Sequence, residues 1–154
     1  MRAVISGLVL ALFVSIAQAA AADQVHEFLH DSDIFTTAYM PDSVARWHKA
    51  LVATLKANPD MEAAANTLAP QFDLAPGPML ELERLWIRNE VTDTANLYNQ
   101  DEEEKARDEI APALTALVRK TDHHPLVLLA AVYVMSDEFR CDISIFDSLT
   151  QGAT

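Results

Sequence analysis

Glycine, cysteine and positive charge are all scarce in this chain. Of 154 residues, three are glycine (Gly7, Gly77 and Gly152) and one is cysteine, Cys141. So few glycines leave no phosphate-cradling loop, which needs them where the backbone closes on the anion. They also leave no sharp turn of the kind that exposes a nucleophilic serine. A single cysteine rules out a disulfide within the chain, so Cys141 is either a buried thiol or half of a bond between two chains. Eleven Lys and Arg stand against 23 Asp and Glu, a formal net charge of −12. A chain this acidic repels phosphate backbones and anionic headgroups. Nucleic acid and membrane surfaces are therefore poor partners, and basic proteins or metal cations better ones.

The N-terminal apolar run, Leu8 to Val14, is too short for a comfortable membrane span. It follows Arg2 and precedes Ala17-Gln18-Ala19. Positive charge, short apolar core and small-residue site, in that order, make a secretory signal. The expectation is a cleavable signal peptide over residues 1–19 and one helical domain over 20–154. Cleavage would remove Arg2 and take the net charge to −13. A periplasmic or secreted address follows, with no membrane attachment after cleavage.

Abundant Ala and Leu, with prolines at spaced boundaries, predict an all-α fold. A first helix opens at Asp23 and carries Val25, Phe28 and Leu29. A second, capped by Asp42 or Ser43, places Val44, Trp47, Leu51 and Leu55 on one stripe and ends at Asn58-Pro59. Asp60 opens a short third helix with Met61, Ala64, Ala65 and Leu68. Phe72 to Pro78 reads as the longest loop, because Pro76-Gly77-Pro78 is a strong breaker. A fourth helix then holds Leu82, Leu85, Trp86 and Asn89, and a fifth opens at Asp101, kinks near Pro112 and closes on Arg119 and Lys120. Residues 125–136 are apolar on all sides and predict a buried central helix, with a strand as the alternative. A last amphipathic segment carries Ile143, Phe146 and Leu149. The architecture expected is a compact bundle of about six helices around that apolar helix. Trp47, Trp86, Tyr98 and Phe139 fall at core spacings, and His48 reads as a boundary residue.

One motif carries chemistry. His26-Glu27-Phe28-Leu29-His30 resembles the HExxH signature of the zincin metallopeptidases. The resemblance implies that His26 and His30, one helical turn apart, bind zinc, with Glu27 as the base that activates a bound water. It covers these five residues. Asp31 and Ser32 follow the second histidine, no GxxGxxH continuation appears, and the segment between Ala19 and His26 is too short for the strands that precede the motif in that family. No residue stands out as catalytic, the chain leans away from an enzyme, and His26 and His30 are metal-ligand candidates. Asp122-His123-His124, just before Pro125, suits a helix start better than a metal site.

Asp101 to Glu104 is the densest acidic run. A capping box uses Asp101 and Glu104. Charge beyond that need remains on Asp101, Glu102, Glu103, Asp108 and Glu109, which are the candidate partner-binding residues. Three functions are compatible with these observations. The first is an exported acidic binding protein of the bacterial cell envelope, an inhibitor or immunity protein that neutralises a basic toxin. The second is a metal-binding or zinc-dependent protein. The third is an accessory subunit or chaperone-like module, with a homodimer possible.

Overall fold

A computed structural model describes residues 22–30, 32, 38, 40–95 and 100–138. The signal-peptide segment, Tyr98, Phe139, Cys141 and the segment with Ile143, Phe146 and Leu149 lie outside the described residues. Within them the fold is all-α, with six α-helices packed together. These are α1 (22–30), α2 (Asp42–Ala57), α3 (Met61–Leu68), α4 (Pro76–Ala95), α5 (Gln100–Lys120) and α6 (Pro125–Glu138). A 3-10 turn, Ala69–Phe72, follows α3 directly.

Helix boundaries follow from local chemistry. The Asp60 side chain accepts from the backbone N–H of Glu62 and Ala63, satisfying two of the donors that a helix start leaves without intrahelical partners. At α2 the cap expected at Asp42 or Ser43 is displaced: Pro41 occupies that position, provides no side-chain bond, and Asp42 lies in the first turn. The loop expected over Phe72 to Pro78 is shorter than anticipated, because α4 begins at Pro76. A first-turn proline lacks only an N–H that would find no intrahelical partner, so Pro76 and Pro78 start the helix instead of breaking it.

Lacking glycine, the chain makes its sharp turns with other residues. Asp73, Asp122 and His123 adopt φ of 56°, 50° and 60°. Asp and His tolerate this left-handed region better than branched residues do, though less freely than glycine. The two loops that hold these residues meet at His124. Its Nδ1 accepts from the Leu126 N–H at 3.3 Å, so its Nε2 carries the proton and donates to the Asp73 carbonyl at 2.9 Å. His124 thus caps α6 and ties the turn after α5 to the turn before α4.

The core stripe of α2 is as expected: Val44, Trp47, Leu51 and Leu55 are fully buried. Helix α6 is a helix and not a strand, and packs on α2, α4 and α5. It buries Leu126, Val127, Ala130, Ala131 and Val134, while Leu129 and Val132 stay 36% and 39% exposed. Helix α4 has the most neighbours, with α3 and the 3-10 turn on one side and α5 and α6 on the other. It therefore has one face turned into the core and one turned toward α5 and solvent.

Candidate functional site: the two faces of helix α4

The inner face of α4 buries Met79, Leu82, Glu83, Trp86, Ile87 and Glu90, residues three and four apart along the chain. Aromatic rings fill the space between this face and α2. Trp47 meets Trp86 edge to face, with centroids 5.1 Å apart at 88°. Tyr133 of α6 stacks on Trp86 at 5.5 Å and 20°. His48 lies edge-on to Phe28 of α1 and tilted against Trp86. The Trp47 indole N–H donates to Met79 Sδ at 3.2 Å, and the Trp86 indole N–H donates to Glu90 Oε1.

His48, expected at the boundary, is buried, with Nε2 3.0 Å from Glu90 Oε1. The contact is a close approach of polar atoms and not a directed hydrogen bond. Helix α2 turns His48 inward because it lies four residues after Val44 and three before Leu51, both buried, and next to Trp47 at the edge of the apolar stripe. The acidic half of this cluster escapes a reading by hydrophobic periodicity, which scores Glu83 and Glu90 as solvent-facing. One signal pointed to Glu90: a buried Trp needs an acceptor for its indole N–H, and Glu90 stands four residues after Trp86.

Glu83 has no such signal. Its side chain is fully buried, and neither carboxylate oxygen has a hydrogen-bond partner among the described residues. Burial penalises the charged form and pushes its pKa up to about 8. The group is therefore a neutral carboxylic acid at pH 7.

The outer face of α4 runs antiparallel to α5. Glu81 binds Lys120 Nζ at 2.5 Å through Oε1, and Arg88 pairs with Glu109 about two turns further along, so two ion pairs tie the helices together. Between them lies a groove of about 400 Å³ lined by Glu81, Arg84, Leu85, Ala113, Ala116, Leu117 and Lys120. The small side chains of Ala113 and Ala116 leave space that larger residues would fill. Arg84 is exposed and has no ion-pair or hydrogen-bond partner among the described residues.

The sequence-derived candidates do not converge on either face. His26 and His30 are both exposed on α1, opposite the buried Val25 and Phe28. Among the described residues no group of three or more His, Cys, Asp or Glu is arranged to hold a metal ion. Asp101, Glu102 and Glu103 lie in the first turns of α5, which starts at Gln100, and their side chains are outside the description. Asp108 and Glu109 are exposed on the same helix, but Glu109 is engaged by Arg88, which leaves Asp108 as the freer charge. Comparison with family models, characterised proteins and solved structures finds no match to this chain.

Proposed function

We propose that the chain is an exported binding protein of the bacterial cell envelope, most concretely an inhibitor or immunity protein that neutralises a basic toxin. The observation that carries this reading is the charge: 23 acidic against 11 basic residues. Cell walls are anionic, so enzymes that attack them tend to be basic, and an acidic surface speeds their encounter with an inhibitor. Asp101, Glu102, Glu103, Asp108 and Glu109 on α5 are the residues assigned to meet such a partner.

The test begins with cross-linking in envelope extract to identify the partner, followed by association kinetics. Glu102→Lys combined with Asp108→Lys should slow association with little change in thermal stability, because neither replaces the Glu109 partner of Arg88. Added salt should slow the wild type as well, because exposed charges are screened beyond roughly 8 Å at physiological ionic strength. Association indifferent to both would end the assignment of this face. A second reading rests on His26 and His30, exposed one turn apart on α1. Zinc titration followed by histidine NMR shifts tests it, and unshifted resonances for both rings would dispose of it.

A further inference from the structure

The outer groove has no part in the charge-steering reading, which concerns the opposite end of α5. Its features suit a small ligand. The floor is apolar, made by Leu85, Ala113, Ala116 and Leu117, and the volume of about 400 Å³ is in the range of small-molecule sites. From Ala113 to Lys120 it spans two turns of α5, roughly 10 Å at 1.5 Å per residue. That length matches an alkyl chain of medium size and is short for a docked helix, which needs anchors over at least as many turns of its own.

The charges at the rim decide the polarity of the ligand. Lys120 is already neutralised by Glu81 at 2.5 Å. Arg84 sits at the same rim, on the turn after Glu81, and has no anionic partner among the described residues. In a chain of net charge −12 an arginine could readily have been given an acidic neighbour. A guanidinium beside an apolar channel is complementary to a carboxylate, which it can bind through two parallel N–H donors, with the attached chain lying on the apolar floor.

We propose that the α4–α5 groove binds a free medium-chain carboxylic acid, its carboxylate on Arg84 and its alkyl chain over Ala113, Ala116 and Leu117. The aliphatic stem of Lys120 closes one end of the channel. Anionic bilayers are not the source of this ligand, because the net charge of the protein repels them.

The probe is decanoate, titrated calorimetrically into the purified protein below the concentration at which it forms micelles. Saturable binding of one decanoate per chain is expected, with decanol and decylammonium each at least tenfold weaker, since a charge-assisted bond to carboxylate is lost in both. Arg84→Gln should weaken decanoate about tenfold, and Ala116→Trp, which fills the channel, should abolish binding. Arg119→Gln, a cation on the same helix that does not line the groove, should leave it unchanged. Circular dichroism of each variant establishes that the fold is kept. Failure of the wild type to saturate would overturn the proposal. So would binding that survives both Arg84→Gln and Ala116→Trp, or decanol binding as tightly as decanoate. An acidic amphipathic peptide that saturates the groove where decanoate does not would make it a peptide site and defeat the proposal. Pelleting with anionic phospholipid vesicles through Arg84 would assign the groove to a headgroup, with the same consequence. None of these outcomes depends on whether a toxin partner exists.

Discussion

Helix α4 has two faces built on opposite principles. The inner face holds aromatic rings and two carboxyl groups away from water, and one of those, Glu83, has nothing among the described residues to bond. The outer face holds ion pairs in water and leaves an apolar channel between them. On the inner face each polar group is expensive to bury, so small chemical changes should move stability strongly. On the outer face solvent screens the charges, so changes there should move binding and hardly touch stability. A fold that needed only to be stable would place an apolar residue at position 83.

The largest loss of stability is expected at the aromatic layer. Trp86→Ala removes the ring that contacts Trp47, His48 and Tyr133, and strips Glu90 of its indole donor. Loss of about 3–5 kcal/mol is expected in denaturant unfolding. A loss under about 1 kcal/mol would show that the layer is not the core.

Next in size is Glu83. Its folded pKa is raised above the ordinary carboxylate value of 4.5 to about 8, so the folded state holds a proton that the unfolded chain releases. Stability tied to this group is fully present below about pH 4.5 and is lost as pH rises toward 8. Glu83→Gln removes the titration. Relative to the wild type it should gain up to about 1.4 kcal/mol per pH unit across that window, on the order of a few kcal/mol by its upper end.

Smaller effects are expected at the helix ends. Asp60→Ala removes the cap of α3 and should cost about 1 kcal/mol. Asp73→Gly should be neutral or stabilise by up to about 1 kcal/mol, because glycine adopts the positive φ without steric penalty. Thermal or urea unfolding reads both. The smallest effect belongs to the outer face: Arg84→Gln should leave stability within about 0.5 kcal/mol of wild type.

Much of the bundle was legible in the sequence. The stripe at Val44, Trp47, Leu51 and Leu55, the cap at Asp60 and the helix starting at Pro125 are all local signals, and each appears where the pattern put it. Pro76-Gly77-Pro78 misled because a breaker in mid-helix is a tolerated residue in a first turn, and only the position of the helix start distinguishes the two. The polar interior was hidden for a different reason. Periodicity assigns Glu to solvent by type, and burial of Glu83 and Glu90 is set by how the neighbouring helices close around α4. The groove was equally hidden, since it depends on how α4 and α5 pack against each other, and Ala113 and Ala116 look like ordinary helix formers on their own.

The separation of the two faces is tested most directly by urea unfolding of three proteins, wild type, Glu83→Gln and Arg84→Gln, at intervals from pH 4.5 to 9. The stability difference between wild type and Glu83→Gln should widen steadily as pH rises to about 8 and then level off, while Arg84→Gln follows the wild-type curve throughout. Parallel curves for wild type and Glu83→Gln, or a pH-dependent departure of Arg84→Gln from wild type, would contradict the account.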